Sequence, residues 1–211
     1  MIPIFTAFFT RGTLYEQEVA RLRKSLDLLE LPHDIRGIES LGDWVANTRH
    51  TPQHVLNVMD DYPDRPIVQL DADAVVWRRP ELFERGMDCD IAAHVRRGTE
   101  MLNGTLYVAP TTAARKCIEL YRDGIAAHPE HRNEQMWLAA AVREMGDSLR
   151  FQNLPPEYCY IPDIMAGDIV DNVDPVVSHM QASRERSRCE AWARRRGWIE
   201  KWEAIYGTVN V

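Results

Sequence analysis

Hydrophobic and polar positions along this chain follow two periods in turn. Residues 3–9 form a short, nearly continuous apolar run, the pattern of a strand buried on both faces. Tyr15, Val19, Leu22, Leu26 and Leu29 then recur at helical spacing, and Pro32 follows the helix end. A second strand is expected at 33–38. A helix follows at about 52–60, with Val55, Leu56 and Met59 on one face. Residues 66–70 are another apolar strand, which runs out onto Asp71. Alternation of this kind predicts an α/β fold, with a mostly parallel sheet covered by helices on both faces.

The second half is more mixed. Strands are expected at 91–95 and 105–108, then helices from Thr111 (as N-cap) to about 127 and from Asn133 to about 145. One more strand is expected at 174–179. A charged helix at about 184–206 closes the chain, with Trp192, Ile199, Trp202 and Ile205 as its packing residues. No repeat, low-complexity tract or linker interrupts the pattern. With 211 residues, a single domain is expected, comprising a first half to about 100, a second to about 183 and the closing helix.

Composition narrows the class of function. The chain is 45% hydrophobic and 27% charged, ordinary for a globular protein, and its formal net charge of −7 argues against nucleic acid as a partner. Cys89, Cys117, Cys159 and Cys189 are scattered without CxxC spacing and read as reduced thiols rather than a zinc site or disulfide framework. The apolar N-terminus lacks a basic flank and a cleavage site, and is far shorter than a membrane span, so a first core strand and a cytoplasmic location are expected.

Candidate chemistry begins where the 66–70 strand ends. In open α/β sheets, ligands bind beyond the carboxyl ends of the strands. Asp71 and Asp73 stand at that edge, and one small residue between them lets both carboxylates face a common point. Such oxygen ligands suit Mg²⁺ or Mn²⁺. A bare DxD can also merely cap a turn, but here AVVWRRPELF follows: a second short strand, Pro80 and a helical turn near Phe83.

LDADAVVWRRPELF resembles the corresponding block of the GT-A fold (Rossmann-like) nucleotide-diphospho-sugar transferases, the glycogenin-like group among them. That resemblance implies a metal on the diphosphate held by Asp71 and Asp73, with Asp71 and Ala72 also near the ribose. Further blocks follow in the family's order. MLNGTLYVAP (101–110) is similar to the strand that floors the sugar site, with Asn103 and Gly104 at its centre; a tight hairpin turn at Asn-Gly is the competing reading. Glu134 and Gln135 match the acidic–amide pair at a helix start that points at sugar and acceptor. Glu134 is then the general base of an inverting enzyme or a stabilising carboxylate in a retaining one, with Gln135 and Asn103 beside it. VVSHMQASR resembles the late block whose histidine, here His179, is a third metal ligand; an imidazole favours Mn²⁺ over Mg²⁺. Ser183, Arg184 and Arg186 follow as diphosphate contacts. Thr6, Phe8, Thr10 and Tyr15 match the nucleotide-binding positions of the first strand and turn. WVANTRHTPQHVL (44–56) is similar to a segment whose lysine reaches the nucleotide, but Thr51 stands where that lysine would be, and Arg49 or His50 would have to substitute.

The expected activity is transfer of a sugar from a nucleoside diphosphate sugar, with uridine donors commonest in such families, to an acceptor hydroxyl. One rival is a phosphatase of the haloacid dehalogenase type, with Asp71 as nucleophile and 167–174 (GDIVDNVD) as its acidic block. The other is a non-catalytic nucleotide-sugar-binding relic of the same fold.

Overall fold

A computed structural model describes residues 1–131, 133–165, 174–184 and 189–209. The first half runs β1 (Ile4–Thr10), α1 (Tyr15–Leu28), β2 (His33–Ile38), α2 (Trp44–Thr48), α3 (Thr51–Asp61), β3 (Ile67–Leu70), β4 (Ala74–Val76) and α4 (Glu81–Glu84). The second runs β5 (Ile91–Arg96), β6 (Glu100–Val108), α5 (Thr112–Ala127), α6 (Gln135–Met145), β7 (Phe151–Asn153), α7 (Pro162–Met165), β8 (Val177–His179) and α8 (Cys189–Tyr206). No helix among the described residues is long and apolar enough to cross a membrane.

Six strands form one sheet in the order β2-β1-β3-β6-β5-β7. Five share a direction, and β6 alone opposes its neighbours β3 and β5. The fold is thus α/β with a mixed, mostly parallel sheet, as the alternation predicts. Both faces are covered. Phe5, Val68, Leu70 and Tyr107 pack under Val19, Leu22 and Leu26 of α1 and Phe83 of α4. Ile67, Ile91, Leu106 and Val108 pack under Val55 and Met59 of α3, Ile118 and Tyr121 of α5 and Leu138 of α6. Thr111 caps α5 by accepting from the Ala114 N–H (3.1 Å), the role its position implies.

Two local expectations change. Asn103–Gly104 is no hairpin turn: it lies inside β6, and residues 97–99 form the turn from β5. The late strand is shorter than 174–179, because only Val177–His179 pairs, antiparallel to β4 with His179 opposite Ala74. The closing helix docks on this small two-stranded sheet. Trp202 is buried with Val75, Trp77 and Met180, and Ile199 packs partly against them. Ile205 is 58% exposed instead, and Trp198 takes its place against Trp77 (5.4 Å between rings). The Trp192 side chain lies outside the described residues.

Candidate active site

The chain leaves β3 at Leu70, turns through Asp71, Ala72 and Asp73, and resumes as β4. Backbone bonds pin this turn from both sides. The Asp71 N–H donates to the Gly104 carbonyl on β6 (3.0 Å), and the Ala74 N–H closes the turn onto the Asp71 carbonyl (3.0 Å). The Met180 N–H donates to the Asp73 carbonyl (3.1 Å), and the Ala182 N–H to Asp73 Oδ2 (2.7 Å). The β4–β8 pairing therefore delivers His179 to the same place. One ligand atom each from Asp71, Asp73 and His179 lie within 4.8 Å of one another, with His179 Nδ1 3.8 Å from Asp71 Oδ2.

His179 is wholly buried, which pushes its pKa down to about 3 and leaves the imidazole neutral. Its Nε2 lies 2.9 Å from Thr105 Oγ1; with the proton on Nε2, the Nδ1 lone pair is free to ligate. That Nδ1 and Oδ1 of Asp73 are buried polar atoms without a hydrogen-bond partner. Such orphans are costly, of the order of 1–3 kcal/mol each, and here two occur together. A divalent cation between them would satisfy both. The carboxyls feel the same deficit: both Asp71 and Asp73 are pushed above the usual carboxylate range, chiefly by burial. For Asp71 the charges on Asp73 and Glu134 add to the rise, while for Asp73 the Ala182 N–H opposes it. Two carboxylates and an imidazole fit Mn²⁺.

The β6 side of the site depends on an irregularity. Pairing with β5 jumps from Ala93–Leu106 to His94–Leu102, leaving residues 103–105 unopposed on that side. A Cβ on Gly104 would stand 3.0 Å from Asp71 Oδ2, 3.0 Å from His179 Cε1 and 3.1 Å from His179 Nδ1. Only glycine lets these groups converge over the strand. Next to it, Asn103 donates to the Tyr121 hydroxyl (3.1 Å) and sets its amide 3.5 Å from Glu134 Oε1. Glu134 sits at the N-cap of α6, one residue later than the expected helix start, and burial raises its pKa.

These elements surround a cavity of about 1170 Å³. Phe8, Thr10, Tyr15, Asp71, Ala72, Asp73, Asn103, Gly104, Glu134, Gln135 and Ser183 line it, with His179 directly behind the two aspartates. Two nucleotide-binding candidates are elsewhere. Thr6 is buried in the core, donating to the Asp34 carbonyl (2.7 Å) and paired with His54 Nε2 (2.8 Å). Arg49 turns away and forks onto the carbonyls of Ile125 (2.5 Å), His128 (3.0 Å) and Pro129 (3.0 Å), satisfying the end of α5. Thr51 donates to the Thr48 carbonyl (2.8 Å). The backbone of Arg184 follows Ser183 in a short 3-10 turn, but its side chain and all of Arg186 lie outside the described residues.

Two further lining residues, Trp44 and Gln69, stand outside the site residues the sequence predicts. Trp44 stands at the mouth, 49% exposed, and donates from Nε1 to the Tyr15 hydroxyl (3.1 Å). It is the first residue of the 44–56 block, and Asp43 just before it caps α2. Gln69 lines the cavity one strand pair before Asp71. Among the described lining residues there are five carboxylates, on Asp43, Asp71, Asp73, Glu100 and Glu134, and no lysine or arginine.

No family model matches the sequence, and no curated protein matches it. The fold, in contrast, is shared with solved structures. A glycosyltransferase involved in the glycosylation of the major capsid of PBCV-1 superposes with a TM-score of 0.65 at 14% identity, over 92% of this chain and 100% of the other. The glycosyltransferase GlyE of Streptococcus pneumoniae TIGR4 gives 0.60 at 15% identity, over 97% of this chain and 63% of that longer one. The galactosyltransferase LgtC, solved with donor and acceptor sugar analogs, gives 0.58 at 10%, over 98% and 96%. At such identities the likeness is one of architecture: this chain has the GT-A glycosyltransferase fold.

Proposed function

We propose that this chain is a metal-dependent glycosyltransferase, moving a sugar from a nucleoside diphosphate sugar to an acceptor hydroxyl, with uridine donors the first to test. The observation that carries the reading is the pair of orphaned buried atoms, Asp73 Oδ1 and His179 Nδ1, converging with Asp71 on one cavity wall. Those three residues would hold Mn²⁺ or Mg²⁺, and the imidazole favours Mn²⁺. When bound, the cation supplies Lewis-acid neutralisation of the charge that develops on a departing diphosphate. The acidic lining supports this need, since an anionic donor meets five carboxylates there.

The chain's own groups divide the remaining work. Phe8, Thr10 and Tyr15, with Trp44 beside them, line the wall near the end of β1 and suit the base and ribose. Asn103 and the bare backbone of Gly104 floor the sugar. Glu134, with its raised pKa and Asn103 to orient it, either accepts the acceptor's proton or faces the reacting carbon as a carboxylate, with Gln135 alongside. Ser183 and Arg184 would meet the diphosphate.

The phosphatase reading has less support. It requires a lysine near the aspartates, and none of Lys24, Lys116 or Lys201 lines the cavity. Its acidic block falls outside the described residues except for Asp174, which is exposed and paired with Arg78 (3.4 Å). The catalytic and relic readings are separated by turnover. Thermal shifts with UDP and UDP-sugars, with and without Mn²⁺, should identify a Mn²⁺-dependent ligand, followed by slow release of UDP from the donor. Binding without any release of UDP would favour the relic. Full donor turnover in Asp73→Ala would overturn the metal-dependent reading.

A further inference from the structure

A second group of metal-ligating side chains stands outside the cavity, on the turn from α5 to α6. His128, Glu130 and His131 are all exposed, and one ligand atom from each lies within 4.8 Å of the others. Glu130 Oε1 is 3.3 Å from His128 Nδ1 and 3.4 Å from His131 Nε2. The first is a long hydrogen bond and the second is longer still, against a usual N–H···O distance of about 2.9–3.0 Å. They match the spacing between ligands of a tetrahedral zinc ion, about 3.3–3.4 Å when the bonds to it are about 2.0–2.1 Å.

The turn is also held in place without any ion. The His128 ring lies flat on Trp137, with centroids 4.4 Å apart and planes 9° apart, and the His131 ring packs against the same indole at 5.9 Å. From below, Arg49 grips the carbonyls of His128 and Pro129. Ring orientation and backbone are thus set in advance, which lowers the entropy lost when a ligand binds.

We propose that His128, Glu130 and His131 form a second metal site, separate from the Asp71–Asp73–His179 centre, for a zinc-class cation with water in the remaining position. Two imidazoles and one carboxylate select Zn²⁺ over Mn²⁺ and Mg²⁺, by ligand type and by the ordinary order of divalent affinities. The turn leads through Asn133 into Glu134, so an ion here braces the entry of α6 and the carboxylate that α6 presents to the cavity. Zinc binding at this turn stands or falls independently of sugar transfer in the cavity.

Calorimetric titration of the full chain with Zn²⁺ tests it. Asp73→Ala, which lacks the cavity centre, should still take up one equivalent. Adding His131→Ala or Glu130→Gln to that variant should weaken uptake at least tenfold. In the wild-type chain the same titration should read two equivalents, falling to one in His131→Ala, so the result does not depend on Asp73→Ala folding. Because all three residues are exposed, neither turn substitution threatens the core. Zinc uptake indifferent to both substitutions, or a folded Asp73→Ala chain that binds none, would overturn the site. A missing response to Mn²⁺ and nucleotide would instead count against the cavity's proposed function and leave the turn's zinc unaffected.

Discussion

His54 and His179 are nearly the same residue in two different regions. Both are buried, both are pushed down to about pKa 3 by that burial, and both set Nε2 against a threonine hydroxyl. Around His54 the network closes. The Thr6 hydroxyl donates to the Asp34 carbonyl, the Asp34 carboxylate is held by Arg36, and Arg36 reaches on to Asp61 (2.7 Å). Neither His54, Thr6 nor Asp34 keeps a buried polar atom without a partner. Around His179 the network stops two atoms short, at its own Nδ1 and at Asp73 Oδ1, and it stops at a cavity wall. A polar cluster that satisfies itself holds a fold together. One left open toward a cavity is shaped for something that arrives.

The largest effect should come from removing the open side. Asp73→Ala deletes the firmest of the proposed ligands together with one orphan, and is expected to abolish the Mn²⁺-induced thermal shift and to lower metal-dependent donor turnover by more than about 100-fold. Next comes a matched pair of substitutions. Thr105→Val frees the His179 ring to choose its tautomer and should weaken Mn²⁺ binding by about 10–100-fold. Thr6→Val makes the same chemical change at His54. It should leave Mn²⁺ binding alone and cost about 1–3 kcal/mol of stability, because a buried imidazole loses its partner. Calorimetry and chemical denaturation of both variants would show whether the two regions differ as described. Equal effects on metal binding would erase the distinction. Gly104→Ala is milder: the added methyl presses on Asp71 and His179, so Mn²⁺ affinity should fall about tenfold while the melting temperature changes little.

How much of this was readable from the chain follows from how local each signal is. The β1–α1–β2 start, the Thr111 cap and the strand that ends on Asp71 depend on residues within a few positions of one another, and they stand where the pattern puts them. Asp71, Asp73, Asn103, Gly104, Glu134, Gln135 and Ser183 line one cavity though they are far apart in the chain. It is their order along the chain, read against a family resemblance, and not any local pattern, that singles them out together. Thr6 and Arg49 sit elsewhere for reasons no local pattern holds. Thr6 points to the face of β1 that α3 covers, and Arg49 is drawn to the bare carbonyls at the end of α5, about 80 residues downstream. The helix α2 and strand β7 are too short to display a period. In α8 the phase is set by docking on Trp77, which brings Trp198 inward and leaves Ile205 outside.

The smallest predicted effect concerns pH and separates the two regions once more. His54 has a folded-state pKa near 3 against an ordinary value of 6.5, so below about pH 6.5 the unfolded chain takes up a proton that the folded one refuses. Its contribution to stability is complete above that pH and declines on acidification, by at most about 1.4 kcal/mol per pH unit, whether or not metal is bound. Asp71 and Asp73 act with the opposite sign in the metal-free chain. Their carboxyls are raised, so stability present below the ordinary carboxylate range near 3.8 is lost as pH rises through the raised values. A bound cation reverses that slope, because it requires both carboxylates ionised and must displace their protons to enter. The stabilisation by Mn²⁺ should therefore grow between pH 5.5 and 7.5, by about 3–5 °C per pH unit for each proton displaced. Melting curves at both pH values, with and without Mn²⁺, measure it directly. A Mn²⁺ shift of the same size at both would mean that the raised carboxylates do not receive the ion, and that the open network around His179 is closed in solution by some other partner.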